Sequence, residues 1–146
     1  MDHLAIMRKS WGLTGKITTG QKTVESRWYK TKYPPWDRIK AGDTVYFKDS
    51  GSPVTIKAAV EDVKQFSGLN PAKVRQILGE YHQADGIEEK EVPKFFEMFK
   101  DKKYCILVFL GGAEKTKPFD IDKNGFGSMS SWLVLDDIGR IRKSPG

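Results

Sequence analysis

An octapeptide near the N-terminus opens with a glycine and then alternates like a β-strand: Gly20-Gln21-Lys22-Thr23-Val24-Glu25-Ser26-Arg27. Alternation places its side chains in two sets, with Lys22, Val24 and Ser26 on one side and Thr23, Glu25 and Arg27 on the other. If this strand lines a cleft, Glu25 and Arg27 point the same way, and Lys22 reaches in from the strand's start. A carboxylate between two cations stays ionised and accepts hydrogen bonds from a polar ligand. The next residue, Trp28, offers a flat face on which a base can stack.

Length and composition indicate one domain over residues 1–146, without disulfides. Apolar residues make up 38% of the chain, and no stretch approaches the roughly 20 apolar residues of a membrane span. The first eight residues lack the order of a secretory signal, because an acidic residue precedes a short apolar run. Cys105 is the single cysteine, which fits a reducing compartment. We therefore expect a cytoplasmic protein with no membrane partner.

The basic excess lies entirely in the segment that contains the octapeptide. Residues 1–57 hold 11 Lys or Arg against 5 Asp or Glu, whereas residues 58–146 hold 14 of each. Such a segment is either a solvated basic face or a source of positive potential that attracts polyanions or nucleotides. Aromatic residues interleaved with the cations favour nucleic acid, because stacking surfaces among cations are typical of single-strand sites. These aromatic residues are Trp11, Trp28, Tyr29, Tyr33, Trp36 and Tyr46.

Hydrophobic periodicity predicts an α+β fold of five or six strands with two or three helices. Asn70-Pro71 has the residues of a helix N-terminus, with a capping side chain followed by a first-turn proline. Ser10 is a possible N-cap for an earlier helix that ends at Gly20. The predicted strands cover residues 3–8, 21–29, 44–48, 54–66, 104–110 and 131–135, and the predicted helices cover 10–20, 70–81 and 89–100. This order indicates a small, strongly curved sheet or barrel.

The octapeptide and a later turn together resemble the ASCH domain family. The first part is Gly20-x-Lys22-x-x-Glu25-x-Arg27, and the second is Ile39-x-x-Gly42-Asp43-x-Val45-x-Phe47. The resemblance implies a PUA-like fold, a small β-barrel with helices around it, whose cleft binds RNA or nucleotides. The resemblance also implies an enzymatic activity as an alternative. Some small bacterial members deacetylate N4-acetylcytidine, and ribonuclease activity is attributed to a member. Other members are parts of transcriptional coactivators.

The catalytic residues of the deacetylases carry over only in part. Their lysine falls on Lys22, but their catalytic threonine falls on Glu25, which cannot replace a hydroxyl nucleophile without changing the mechanism. Their third group is a glutamate in the helical insertion, which here contains several acids between residues 80 and 91. Asp85 is our choice among these acids. The resemblance therefore names Lys22, Glu25 and Asp85 as catalytic candidates.

The binding hypothesis assigns roles within the same cleft. Lys22 and Arg27 contact phosphate or carbonyl oxygens, and Glu25 accepts hydrogen bonds from the donor edge of a base. The remaining candidate ligand contacts are Trp11 and Trp28, by stacking, and Lys30. Two alternatives stay open: a hydrolase acting on an acylated cytidine or on RNA through Lys22 and an acid, and a buried ion pair that only fixes the barrel mouth.

The remaining motifs predict no metal site and no cofactor. The segment Asp120-x-Asp122-x-Asn124-Gly125 copies half of a calcium loop but lacks the closing glutamate, so a hairpin turn is expected there. The two histidines, His3 and His82, are far apart in sequence, which disfavours a zinc cluster. Hydroxyl groups and an aromatic ring over residues 128–132 are candidates for the rim of the cleft.

Overall fold

The computed structural model describes residues 1–127 and 129–143. Six strands are present in these residues: β1 (Asp2–Met7), β2 (Val24–Tyr29), β3 (Thr44–Asp49), β4 (Val54–Phe66), β5 (Tyr104–Phe119) and β6 (Trp132–Leu135). Three α-helices accompany them: α1 (Thr14–Thr18), α2 (Pro71–Tyr81) and α3 (Val92–Phe99). Short 3-10 turns cover Lys9–Trp11, Glu89–Glu91 and Ile138–Arg140. Ser128, one of the predicted rim residues, lies outside the described residues.

The six strands form one sheet in the order β2-β5-β4-β3-β1-β6. Only β1 and β3 pair in parallel, and all other neighbours are antiparallel. Register shifts within the long β4–β5 pair mark bulges, which bend strands and raise their twist. The sheet accordingly curls into a half-barrel, and the prediction of an α+β fold on a PUA-like small barrel is confirmed.

Opposite faces of the sheet carry separate parts of the core. Inside the curl, Phe47, Ile106 and Val108 pack with Ile17 of α1. On the outer face, α2 and α3 cover β2 and β5 and bury Trp28 and Leu107. Since β5 alternates between these two environments, residues 105–108 are buried on both faces of the sheet.

Three predicted elements differ from the observed ones. Ser10 does not cap a helix, because Gly12 adopts a left-handed φ of 64° that ends the 3-10 turn, and α1 starts only at Thr14. The strand predicted over residues 21–29 starts at Val24, since the amide of Lys22 donates to the carbonyl of Lys16 at 2.9 Å. The strand predicted over 104–110 continues to Phe119, because β4 supplies a partner along that length.

A buried polar network connects the turn before β3 to the sheet. His3 and Asp43 are both buried, and Nε2 of His3 lies 2.9 Å from Oδ2 of Asp43. Nε1 of Trp132 donates to Nδ1 of His3 at 3.0 Å, so the imidazole proton resides on Nε2 and the ring is neutral. Burial lowers the pKa of His3, against the raising effect of Asp43. Gly42 has a φ of 96°, which favours glycine at this turn.

No helix among the described residues is long and apolar enough to cross a membrane.

The buried His3 makes stability depend on pH. Because its folded pKa lies below the ordinary 6.5, the unfolded chain binds a proton that the folded protein does not. Its contribution to the free energy of unfolding is complete above pH 6.5 and decreases below it, by at most about 1.4 kcal/mol per pH unit. We expect the difference in this free energy between wild type and His3→Gln to shrink as the pH falls from 7.5 to 5. Urea denaturation at several pH values measures it, and a constant difference would contradict the neutral buried imidazole.

Candidate functional site

A cavity of about 420 Å³ opens beside β2, between the segment after β1 and the insertion that contains α2 and α3. Its apolar lining includes Trp11, Phe95 and Met98. Its polar side, which we call the polar wall, consists of Glu25, Ser26, Arg27 and Asp85. The volume lies within the range typical of small-molecule sites, and apolar sides with a few convergent polar groups are also typical of them.

Lys22 lies behind the polar wall and does not line the cavity. Its side chain is fully buried, and Nζ contacts four oxygens. These are the carbonyl oxygen of Val24 at 2.7 Å, the carbonyl oxygen of Asp85 at 2.8 Å, Oε1 of Glu25 at 3.0 Å, and Oδ1 of Asp85. An ammonium group has only three protons to donate, so these contacts use all of them. The structure therefore places Lys22 behind the cavity, with its donors directed at protein oxygens.

Two carboxylates keep the buried Lys22 charged. Burial alone would lower its pKa, but the negative charges of Asp85 and Glu25 outweigh that effect, and the pKa of Lys22 is raised. A lysine serves as a nucleophile or a base only when it loses its proton. In this arrangement Lys22 positions the two acids.

Backbone contacts fix the turn that carries Asp85 against the start of β2. The carbonyl oxygen of Ala84 accepts from the amides of Thr23 and Val24, at 2.8 and 3.0 Å. Gly86 follows with a φ of 80°, and a Cβ atom there would lie 3.2 Å from Cβ of Lys22. The insertion thereby meets the octapeptide at its lysine.

Glu25 and Arg27 form a second pair on the polar wall. Oε2 of Glu25 accepts from Nε of Arg27 at 3.0 Å and from Nη2 at 2.8 Å. Burial would raise the pKa of Glu25, but Lys22 and then Arg27 outweigh that effect, so the pKa is lowered and the carboxylate stays ionised. Arg27 also donates to the carbonyl oxygen of Ser131 at 3.2 Å, and its guanidinium lies 5.0 Å from the ring centroid of Trp132. Most of its donors are thus already used within the protein.

Asp85 is the acid of the polar wall whose negative charge is stabilised least by its surroundings. Burial raises its pKa, the negative charge of Glu25 adds to that effect, and Lys22 opposes it. Its Oδ2 accepts from the hydroxyl of Ser26, which itself accepts from Nε1 of Trp28 at 3.0 Å. A buried acid with a raised pKa beside a cavity is typical of functional sites.

Of the other three predicted ligand contacts, two line the cavity and one does not. Trp11 is half-buried, lines the cavity and lies edge-to-face on Phe95, with ring centroids 5.1 Å apart. Trp28 also lines the cavity, but Phe99 stacks on it at 4.8 Å, and only 7% of it is exposed. It is therefore a core residue rather than an open stacking surface. Lys30 is exposed and lines neither this cavity nor a smaller one beside it, so the structure does not bring it to the site.

Two cations of the cavity were not selected as site residues from the sequence. Arg8 is exposed, and its guanidinium lies 4.9 Å from the ring centroid of Trp11. Lys102 lines the cavity from the segment after α3. Neither makes an ion pair with a carboxylate in the part of the chain that the structure describes. Arg8 lies in the basic segment, so the charge distribution included it. Lys102 lies in the neutral part of the sequence, where no pattern indicated a site residue.

Over residues 1–127 and 129–143, no group of three His, Cys, Asp or Glu side chains is arranged to hold a metal ion.

The position of Lys22 predicts a large loss of stability on Lys22→Met. Removal of the ammonium leaves two buried carboxylates facing each other, which costs about 3–5 kcal/mol. Lys30→Met makes the same chemical change at an exposed lysine and is the matched control, with an expected effect within about 0.5 kcal/mol. Thermal and urea denaturation measure both. Equal stability of the two variants would show that Lys22 does not hold the acids together.

Comparisons with known proteins agree with this architecture. No protein-family model and no curated protein matches the chain. The crystal structure of ASCH from Zymomonas mobilis has a TM-score of 0.65 and 17% identity, over 92% of this chain and 87% of that one. A tyrosine-to-phenylalanine mutant of that protein has a TM-score of 0.67 and 16% identity, over 95% and 93% of the two chains. A serine-to-alanine mutant has a TM-score of 0.66 and 15% identity, over 95% and 91%. Likeness at this identity concerns the fold, and the chain has the ASCH domain fold.

Proposed function

We propose that the cavity binds a base of RNA or of a nucleotide, and that it favours bases with an amino group. The observation that carries this proposal is the set of open acceptor positions on the polar wall. A carboxylate has about four lone-pair positions. Glu25 uses three of them for Lys22 and Arg27, and Asp85 uses two for Lys22 and Ser26. Roughly three acceptor positions are then left for a ligand.

Acceptor positions favour some bases over others. Cytosine and adenine present an exocyclic amino group as a donor, as does guanine through its N2 amino group, whereas uracil presents a carbonyl oxygen in the place of the cytosine amino group. A buried acceptor that faces a carbonyl oxygen has no partner and loses free energy. Because most donors of Arg27 are already used, it does not readily offer a compensating hydrogen bond.

The remaining lining suits the other parts of a nucleotide. Trp11 and Phe95 supply apolar and aromatic surface for the base. Arg8 and Lys102 supply the positive charge that a phosphate group needs, and within residues 1–127 and 129–143 no carboxylate pairs with either. The site thus has groups for base and phosphate together.

Calorimetric titration with the four nucleoside 5′-monophosphates tests this proposal. We expect CMP to bind at least about tenfold more tightly than UMP, since one correctly paired base edge is worth about 1–3 kcal/mol. Asp85→Asn exchanges an acceptor oxygen for a donor amide and should reduce this ratio, whereas Asp101→Asn, an exposed neighbour outside the cavity, should not. UMP binding as tight as CMP binding would contradict selection by the polar wall, and no binding of any of the four would contradict the ligand class.

A second candidate function is hydrolysis of an acylated base, and the raised pKa of Asp85 favours it. In this mechanism ionised Asp85 takes a proton from water, whose oxygen attacks the acyl carbonyl carbon of a substrate such as N4-acetylcytidine. The carbon–nitrogen bond then breaks as Asp85 returns the proton to the leaving nitrogen, giving cytidine and acetic acid, which releases its proton to water and becomes acetate. Lys22 holds the carboxylate in place and takes no covalent part.

Incubation with N4-acetylcytidine distinguishes the two candidates. If the protein is a hydrolase, Asp85→Asn should lower kcat/KM by a factor of about 100 or more. The wild-type rate should rise with pH through the raised pKa of Asp85, because only the ionised form accepts a proton. Asp101→Asn should retain full activity. Acetate release that persists in Asp85→Asn would contradict this mechanism, and absence of turnover in wild type would leave the binding function alone.

A further inference from the structure

A second cavity of about 260 Å³ lies directly beside the first. The two cavities share four lining residues, Trp11, Leu13, Ile87 and Phe95. Trp11 is the half-exposed aromatic residue among them, so it stands where the two cavities meet. Two adjacent cavities with a common aromatic wall can receive two neighbouring units of one ligand.

The second cavity carries a small positive excess. Lys16, Lys90 and Lys94 line it against Glu88 and Glu91. Nζ of Lys16 donates to the carbonyl oxygen of Gly86 at 2.8 Å, a partner without a formal charge, and Lys90 pairs with Glu88 at 3.4 Å. Lys94 has no carboxylate within ion-pair distance in the described residues. This small positive excess attracts the negatively charged backbone of a nucleic-acid strand.

Arg8 provides a cation at the point where the cavities meet. Its guanidinium lies over the ring of Trp11, 4.9 Å from the centroid, and it lines the first cavity only. Because Trp11 lines both cavities, Arg8 lies within reach of a phosphodiester that joins a unit in the first cavity to a unit in the second. A guanidinium there can bind two phosphate oxygens at once.

We propose that the ligand is single-stranded RNA. Two of its consecutive nucleotides occupy the two cavities, and Arg8 binds the phosphodiester between them. The proposal rests on the proposed function, because the first cavity must accept a base. It adds a second nucleotide site, built from Lys16, Lys90 and Lys94, and a linking contact. Free nucleosides and mononucleotides would then fill only half of the site.

The dinucleoside monophosphates CpC, ApA and GpG, each compared with its own nucleoside 5′-monophosphate, test this proposal by calorimetry. The best-bound dinucleoside monophosphate should bind at least tenfold more tightly than its mononucleotide, although it carries less negative charge. Simple electrostatic attraction to a basic surface predicts the opposite order. The measurement therefore separates the two-cavity site from a generally cationic face.

Three variants test which residues produce the tighter binding of the dinucleoside monophosphate. Ser10→Trp fills the second cavity from an exposed position, so it should abolish the tenfold advantage and leave mononucleotide affinity unchanged. Arg8→Ala should also reduce the advantage. Lys9→Ala removes a positive charge from the residue next to Arg8, but Lys9 lines neither cavity, so this variant should retain the advantage in full.

Each outcome bears on the proposal. Loss of the advantage in Ser10→Trp and Arg8→Ala but not in Lys9→Ala supports it. Equal affinity for dinucleoside monophosphates and mononucleotides, or an advantage that survives Ser10→Trp, overturns the second site and leaves the proposed base site standing. Absence of binding for every compound overturns both.

Discussion

The buried ammonium group of Lys22 is the constraint on which the site depends. It joins the carbonyl oxygen of Val24 at the start of β2, the carboxylate of Glu25, and both the backbone and the side chain of Asp85. Asp85 comes from the insertion between β4 and β5, so one charge connects segments that are more than sixty residues apart. A buried cation is tolerated only where opposite charges and hydrogen bonds satisfy it. Without this ammonium group, no cation would lie between the buried carboxylates of Glu25 and Asp85, and the two would repel each other.

A second chain of contacts connects the two halves of the sequence signature. Asp43 binds His3, His3 accepts from Trp132, and the guanidinium of Arg27 lies over the ring of Trp132. Arg27 in turn holds Glu25 with two hydrogen bonds. The turn at Gly42-Asp43 is thus not only an entry to β3, because it supports from behind the strand that presents Glu25 to the cavity. Both halves of the signature belong to one buried network.

Local patterns in the sequence predicted the elements that depend on local interactions. Alternation gave β4 with its bounds, and Asn70-Pro71 gave the start of α2, where the Asn70 side chain accepts from the amide of Lys73. The second half of β5 was not predicted, because residues 111–118 are mostly exposed and owe their strand conformation to the long partner β4. The contacts of Lys22 and the stacking of Phe99 on Trp28 could not be predicted from the sequence for a related reason. Both join residues whose approach depends on how the insertion packs.

The composition of the polar wall links proton binding to ligand choice. The pKa values of Lys22 and Glu25 are shifted toward their charged forms, and arginine is always charged in proteins, so Asp85 is the group whose charge can change near its raised pKa. When Asp85 is ionised, the polar wall and Lys22 together carry no net charge, and the wall offers acceptors to an amino group. When Asp85 is protonated, the same groups carry a net charge of about +1, and one acceptor becomes a donor that suits a carbonyl oxygen. A ligand that donates to Asp85 must therefore lower its pKa, and a ligand that accepts from it must raise it. The proposed base binding and the proposed general-base catalysis would thus both require the ionised form of one carboxyl group, that of Asp85.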